Sequence, residues 1–188
     1  MTSKPLLQAH GLSKAYPGVL ALDAVEFDLY EGELHVLFGE NGAGKSTMIS
    51  LLAGANTPTS GTIEMRGAPV HFASVADAQA KGIHTVFQEF SLIPTMSVAQ
   101  NMFLGHEPGV GPFLSPRAMR QRAKRILADL NFDIDPDRTV ARLSRAQQQM
   151  VEIAKAMQGD LSVLILDEPT ASLTDREVDQ LFEVIARL

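Results

Sequence analysis

The 188-residue sequence contains no cysteine. It therefore cannot form disulfide bonds or bind a metal through thiolates, and this composition suits a reducing compartment. It also lacks an apolar run near the roughly 20 residues that a membrane-spanning helix needs. Residues 1–5 lack the apolar core of a secretory signal. From these absences we expect a chain that remains in the compartment where it is made.

An excess of positive charge is absent as well. The sequence has 16 Lys and Arg against 22 Asp and Glu, a net charge of −6, so no general basic surface favours nucleic-acid binding. The main basic cluster comprises Arg117, Arg120, Arg122, Lys124 and Arg125. No aromatic residue alternates with these cations to stack on bases. We interpret them as a solvated helix face, with nucleic-acid binding as the less favoured alternative.

The strongest motif is a glycine-rich stretch that fits the phosphate-loop pattern G-x-x-x-x-G-K-[ST]. Its residues are Gly39, Glu40, Asn41, Gly42, Ala43, Gly44, Lys45, Ser46 and Thr47. The glycines let successive N–H groups wrap the oxygens of a polyphosphate. Lys45 would add positive charge near the β- and γ-phosphates, and the Ser46 hydroxyl would bind the bridging Mg²⁺. A glycine-rich turn that merely contains a lysine is the disfavoured alternative.

The context of this stretch supports that interpretation. The apolar run at residues 34–38 predicts a buried parallel strand before the loop, and residues 45–53 predict a helix after it. Gly54 would end that helix in a left-handed conformation. We therefore expect the strand–loop–helix unit of nucleotide-binding α/β proteins.

A second apolar strand, predicted at residues 161–166, ends in Asp167 and Glu168. Because parallel strands present their carboxyl ends at one edge, these carboxylates should lie near the phosphate loop. Asp167 would hold Mg²⁺, directly or through water, and Glu168 would orient and polarise the attacking water. An N-cap or a surface pair is the structural alternative.

Three isolated residues are weaker candidates. Gln88 follows a predicted strand at residues 83–87 and could reach a metal or its water, although such a glutamine is more often a solvated loop residue. Ser144 has capping-box spacing with Gln147, so a capped helix and an anion site are equally compatible with it. Tyr16 lies in a turn where its ring could stack on a nucleotide base, but spacing alone favours a packing role.

The remaining pattern predicts an α/β fold with an antiparallel flap at its amino terminus, built from strands at residues 6–15 and 25–29. A short hairpin is expected at residues 62–72, and helical patterns dominate from residue 89 to 160. We predict an ATP-binding core over residues 1–87, a helical subdomain over 88–160, and a continuation of the core over 161–188.

In this order, the motifs resemble the ATP-binding subunit of an ABC transporter over essentially the whole chain. The segments on which this resemblance rests are the phosphate loop, the glutamine loop at 86–89, the signature at 143–149, the acidic strand end at 167–170 and the loop at 172–175. The amino-acid sequence at residues 13–19, 147–156 and 169–174 is similar to that of the ribose/xylose/galactose-type sugar importer branch.

The resemblance implies an Mg²⁺-dependent ATPase with a P-loop NTPase core. It implies that Tyr16 stacks on adenine, that Gln88 and Glu168 serve catalysis with Lys45, and that Ser144 meets the nucleotide of a partner domain. Its implied partners are a second nucleotide-binding domain on the same full-length chain and membrane permease subunits, which would contact residues 90–96. A sugar-binding receptor is implied as an indirect partner. The implied location is cytoplasmic and peripheral, on the inner face of the cell membrane.

The sequence departs from the family pattern in two places. Arg145 and Ala146 stand where the signature commonly has glycines, which puts the strength of that anion site in doubt. A switch histidine is expected after residue 168, yet the last histidine is His106. The resemblance thus implies the front part of a first nucleotide-binding domain, truncated at its carboxyl end and weakly active or inactive alone.

Two other functions remain open at this point. An ATPase of the same superfamily could act on DNA or ribosomes, although the segment between Gln88 and Ser144 is too short for the coiled-coil arm of a DNA clamp. A regulatory half could instead bind ATP without hydrolysing it.

Overall fold

A computed structural model describes residues 4–40, 42–110, 113–170 and 173–187. The chain forms two compact units, Met1–His84 and Thr85–Leu188. The domain boundaries predicted after residues 87 and 160 stay a prediction.

The first unit is built around a four-stranded antiparallel sheet in the order β2-β1-β3-β4. Its strands are β1 (Leu7–Tyr16), β2 (Val19–Leu29), β3 (Ser60–Met65) and β4 (Ala68–Val70). This arrangement confirms the predicted antiparallel flap and the short hairpin that follows it.

Strand β2 begins earlier than the alternating pattern predicts. Tyr16 pairs with Val19 across a turn in which Gly18 has φ +82°. Ala24 then takes a left-handed φ of +45°, and its N–H donates to Ser13 Oγ at 2.8 Å. This irregularity shifts the register of the strand, which is why the alternation is visible only in its second half.

Two helices complete the first unit, α1 (Lys45–Leu52) and α2 (Val75–Ala80). Helix α1 buries Met48 and Leu51, and it ends where Gly54 takes φ +70°. A Cβ on Gly54 would lie 2.6 Å from the Ser74 carbonyl oxygen, so only glycine fits this close approach. The predicted helix and its left-handed cap are both confirmed.

The predicted buried strand at residues 34–38 is wrong. The segment has no regular secondary structure, and Leu34, Val36 and Phe38 are 63%, 71% and 98% exposed. An apolar run becomes a buried strand only when neighbouring strands bond both of its edges and other elements cover both faces. Among the described residues of the first unit, the sheet leaves this segment outside its four strands.

Strand β5 (Ile83–Val86) pairs with β8 (Val163–Leu166), and the helices between them form the second unit. These helices are α3 (Val98–Phe103), α4 (Pro116–Asp129) and α5 (Arg145–Ala156), with a 3₁₀ turn at Val140–Arg142 and α6 (Asp175–Ile185) after β8. A short hairpin of β6 (Gly109–Val110) and β7 (Phe113–Leu114), which the sequence pattern did not predict, precedes α4.

Polar residues begin these helices, and the capping-box spacing of Ser144 predicts one of the starts. Ser97 and Ser144 form complete capping boxes with the glutamine three residues later, and Ser115 caps α4 ahead of Pro116. Thr174 forms a capping box with Glu177 at α6. Each box satisfies N–H groups that the helix leaves unpaired, so local sequence alone fixes these starts.

One apolar core fills the second unit. Val98, Leu127, Val151, Ile153 and Val184 are among its fully buried side chains. The basic cluster of α4 faces solvent, as predicted, and Arg120 Nη2 pairs with Asp137 Oδ2 at 2.7 Å. In the described part of the chain, no helix is both long and apolar enough to cross a bilayer.

Candidate functional site

The glycine-rich loop of the first unit leads directly into helix α1. Gly42 and Gly44 both lie in the left-handed region, at φ +88° and +86°, and Gly44 is the N-cap of α1. Ala43 N–H donates to the Glu40 carbonyl at 3.1 Å and closes a turn within the loop. Asn41 lies outside the described residues. The loop therefore presents backbone N–H groups next to the positive end of a helix dipole.

The two glycines differ in their surroundings. A Cβ on Gly42 would meet no atom within 4 Å, whereas one on Gly44 would lie 2.7 Å from the Ala21 carbonyl oxygen and 2.8 Å from Leu22 Cδ2. Gly44 thus packs the loop against strand β2, while Gly42 borders open space. Open space beside backbone N–H groups and a lysine suits a polyphosphate.

Lys45 is held by its own loop. Its Nζ donates to the carbonyl oxygens of Gly39 at 2.6 Å and Glu40 at 2.9 Å. These bonds keep the ammonium at the loop, where an incoming phosphate would offer stronger, charge-assisted acceptors. Ser46 and Thr47 occupy the first turn of α1, and Ser46 is exposed.

Tyr16 stands at the end of the β1–β2 hairpin, the same hairpin whose Ala21 and Leu22 contact Gly44. Its side chain is 39% exposed, and Lys14 Nζ lies 5.2 Å from the ring centroid. Lys14 also donates to the Thr57 carbonyl at 2.7 Å, so the cation is fixed over the ring. An exposed, oriented ring suits base stacking, and that role stays a prediction.

In the second unit, the ends of β5 and β8 lie side by side. Asp167 N–H donates to the Val86 carbonyl at 3.0 Å, and Gln88 follows Val86 by two residues. The structure thus brings Gln88 and Asp167 to neighbouring strand ends, and the predicted proximity of Asp167 and Glu168 to the phosphate loop stays a prediction.

Glu168 has an unusual backbone. Its φ is +47°, in the left-handed region that favours glycine, and its side chain is exposed. A non-glycine residue there carries strain of about 1–3 kcal/mol, which tends to persist at functional sites. The chain therefore turns at Glu168, just after strand β8 ends.

Ser144 is a true helix cap. Its Oγ accepts from Gln147 N–H at 3.1 Å, and its N–H donates to Gln147 Oε1 at 3.1 Å. The structural alternative for this residue is therefore realised. Ser144 is also exposed at the amino end of the 12-residue helix α5, so its hydroxyl proton can still donate outward. Its contact with a partner's nucleotide stays a prediction.

An open groove of about 770 Å³ lies beside this helix start. It is lined by Gln88, Glu89, Phe90, Leu92, Pro94, Val140, Arg145 and Gln148. The guanidinium of Arg145, one of the two signature departures, lies 5.2 Å from the Phe90 ring centroid. The other departure, Ala146, is buried. At these two positions Arg145 lies against Phe90 and Ala146 is buried, both within this unit.

Sequence reasoning missed the burial of Asn101 and Glu152, polar residues that are 1% and 7% exposed. Glu152 lies between Val151 and Ile153 in an otherwise apolar stretch of α5. A charged residue inside such a stretch requires compensating partners, and that is the signal that could have identified it.

The predicted site residues are divided between the units. Tyr16 and residues 39–47 belong to the first, and Gln88, Ser144, Asp167 and Glu168 belong to the second. Their convergence on one nucleotide stays a prediction. No group of three His, Asp or Glu side chains forms a metal site in the described ranges. Ser46, Gln88 and Asp167 carry oxygen atoms of the kind that Mg²⁺ prefers, and their binding of the ion stays a prediction.

The profile of the ABC transporter family matches residues 22–171. The chain is 48% identical over 185 residues to a protein of Rubrobacter xylanophilus named ribose import ATP-binding protein RbsA 3. This alignment covers 98% of this chain and 37% of that protein. It is 49% identical over 183 residues to the putative ribose/galactose/methyl galactoside import ATP-binding protein 3 of Burkholderia cenocepacia, covering 97% of this chain and 36% of that protein.

Solved structures give the same result for the fold. The ADP conformation of MJ1267, an ATP-binding cassette of an ABC transporter, superposes with a TM-score of 0.85 at 25% identity, covering 98% of this chain and 77% of that one. The dimeric MJ0796 cassette bound to ADP and Pi superposes with a TM-score of 0.81 at 25% identity, covering 95% of this chain and 81% of that one. The predicted P-loop NTPase fold is confirmed. The chain spans little more than a third of the length of the curated relatives it matches.

Proposed function

The chain belongs to the ABC transporter family, and from this membership we propose that it binds and hydrolyses MgATP to energise import of a sugar-like solute through a membrane permease. The observation that carries the proposal is the loop of residues 39–47, in which left-handed glycines, an open helix N-terminus and the Lys45 ammonium are assembled in one place. Family membership implies nucleotide binding. The magnesium site, the hydrolysis and the solute are parts of the proposal.

The first unit would hold the nucleotide. Backbone N–H groups from Gly42 to the first turn of α1 bind the phosphates, and Lys45 exchanges its bonds to the Gly39 and Glu40 carbonyls for phosphate oxygens. Tyr16 orients the adenine by stacking. Because the Gly39 and Glu40 carbonyls already hold the ammonium at the loop, little reorganisation opposes binding of the phosphates.

The second unit would supply the hydrolytic residues. Ser46 of the first unit joins Gln88 and Asp167 as the residues that would hold Mg²⁺. When bound, the ion would neutralise charge between the β- and γ-phosphates. Glu168 accepts a hydrogen bond from the attacking water and orients it, and its backbone lies in a left-handed turn just after strand β8.

The partners follow from the same proposal. Ser144 and the amino end of α5 would contact the nucleotide bound by a second nucleotide-binding domain, on the same full-length chain. Permease subunits would dock near residues 90–96, at the groove beside Phe90 and Arg145. A sugar-binding receptor would act indirectly, through the permease, and the subunit would sit at the cytoplasmic face of the membrane. The relatives are named as sugar import proteins, which favours this reading over the ribosome or DNA alternative and over binding of nucleic acid.

The test is Glu168→Gln in the full-length protein, with Glu183→Gln as the matched control. Glu183 is exposed on α6, where its Oε2 pairs with Arg187 Nη2 at 3.7 Å. We expect Glu168→Gln to retain ATP affinity within about twofold while turnover falls on the order of a hundredfold or more, since a positioned base contributes about 10²–10⁴-fold. Glu183→Gln should leave both unchanged. Unchanged turnover in Glu168→Gln would refute the proposed role.

The solute is tested separately. Uptake of radiolabelled ribose, xylose and galactose is measured in cells with the gene intact and with the Lys45→Ala substitution. We expect the loss of Lys45 to abolish uptake of at least one of these sugars. Equal uptake of all of them in both strains would contradict sugar import.

A further inference from the structure

We propose that Glu152 is a positioning residue that fastens the segment after Gln88 to helix α5, so that this segment and the Ser144 end of the helix move as one piece. This inference deepens the proposed function and rests on it. All of the residues involved belong to the second unit.

The attachment begins at the Glu152 carboxylate. Its Oε1 accepts from Ser91 N–H in a short hydrogen bond, and its Oε2 accepts from Ser91 Oγ at 3.2 Å. Lys155, one turn further along α5, donates from Nζ to Ser91 Oγ at 2.9 Å. The serine hydroxyl thus accepts from the ammonium and donates to the carboxylate. Ser91 uses both its backbone and its side chain in this cluster, although it is 61 residues from Glu152 in sequence.

A buried carboxylate is costly unless hydrogen bonds and charge compensate it. Glu152 is 7% exposed, and its environment includes the apolar core around Val151 and Ile153. An apolar residue at this position would pack at lower desolvation cost. The acid instead provides a specific attachment for one loop residue, which a hydrophobic contact would not provide.

A second attachment lies at the other end of the same helix. Arg145 lies 5.2 Å from the ring centroid of Phe90, the residue next to Ser91. Arg145 and Glu152 are seven residues apart, about 10 Å along the helix axis. Two contacts at this separation fix both the position and the direction of the loop segment on the helix.

Asn101 of α3 holds the following part of the segment. Its Nδ2 donates to the Ile93 carbonyl at 3.0 Å, and its Oδ1 accepts from Ile93 N–H at 2.6 Å. Residues 90–93 are therefore fastened to α5 and α3 together. A displacement of Gln88 must be taken up by residues 87–89 or transmitted to α5, whose amino end carries Ser144.

Hydrogen exchange of the full-length protein tests the attachment without relying on catalysis. Glu152→Gln keeps the shape but removes the charge, and Ser91→Ala removes only the hydroxyl. We expect amide exchange in the peptide covering residues 88–94 to accelerate about tenfold in both variants, because the charge-assisted bonds to Ser91 are lost or weakened. A peptide covering α4 should exchange as before. Glu183→Gln is the matched control.

Turnover tests the positioning role. We expect both variants to bind ATP within about twofold of the unmodified protein while turnover falls about tenfold, since misplacing Gln88 affects chemistry rather than phosphate binding. Ser91→Thr, which retains a hydroxyl, should restore most of the activity. The double variant should lose no more than the single variants do, because both remove the same connection.

The outcomes separate this inference from the proposed function. Unchanged exchange at residues 88–94 in both variants would overturn the attachment, and accelerated exchange with unchanged turnover would overturn the positioning role. If the unmodified protein binds no ATP, the proposed function fails. The exchange result then still decides whether Glu152 holds the loop.

Discussion

Replacing Gly44 by alanine should destabilise the first unit far more than the same replacement at Gly42. Both glycines have nearly the same backbone, at φ +86° and +88°, so a Cβ incurs the same left-handed strain of about 1–2 kcal/mol at each. Only at Gly44 does the new Cβ meet neighbours, 2.7 Å from the Ala21 carbonyl oxygen and 2.8 Å from Leu22 Cδ2. Forcing these atoms apart adds about 1–3 kcal/mol.

The assay is urea denaturation of both variants beside the unmodified protein. We expect Gly42→Ala to lower the free energy of unfolding by about 1–2 kcal/mol and Gly44→Ala by about 2–5 kcal/mol. The difference between the two variants isolates the packing of the loop on strand β2. Nucleotide titration should show the opposite order. Relative to the stability that each variant loses, Gly42→Ala should weaken nucleotide binding more than Gly44→Ala does, because the Gly42 side of the loop borders the space proposed for the phosphates. Equal loss of stability in both variants would refute the packing of Gly44 on β2.

Two other predictions concern single side chains. Burial lowers the pKa of His84 from its usual 6.5, so in the unfolded chain this histidine protonates first as the pH falls. Stability should therefore decline below about pH 6.5 until the folded histidine is protonated too. His84→Gln should reduce that decline in urea denaturation between about pH 5 and 8, and an unchanged pH dependence would contradict the role of burial. At Glu168, whose φ is +47°, glycine should give a free energy of unfolding about 1 kcal/mol higher than alanine does, and equal stabilities would show that the turn is unstrained.

Local sequence predicted the helix starts because the responsible hydrogen bonds join residues three apart. Ser144 forms the capping box that its spacing with Gln147 predicts, and Ser97 and Thr174 form boxes of the same spacing. The left-handed φ of Gly54 at the end of α1 is predictable from its residue type, whereas the close approach of the Ser74 carbonyl to Gly54 is a tertiary feature. The hydrogen bonds of the capping boxes need no knowledge of the tertiary structure.

The features that the sequence could not provide depend on distant partners. The apolar run at residues 34–38 carries the composition of a buried strand, but pairing with other strands decides whether it becomes one. Strand β2 is longer than predicted because the irregularity at Ala24 interrupts its alternation. The contact of Glu152 with Ser91 spans 61 positions, and no local pattern identifies its partner.

The proposed ATP binding depends most directly on Lys45 and its phosphate loop. The decisive measurement is titration of the protein with a fluorescent ATP analogue and Mg²⁺, comparing Lys45→Ala with Lys124→Ala, an exposed lysine of α4. Losing a charged hydrogen-bond partner, worth about 1.5–3 kcal/mol, should weaken binding about ten- to hundredfold in Lys45→Ala and leave Lys124→Ala unchanged. Absence of saturable binding in the unmodified protein, or equal affinity in Lys45→Ala, would contradict the account.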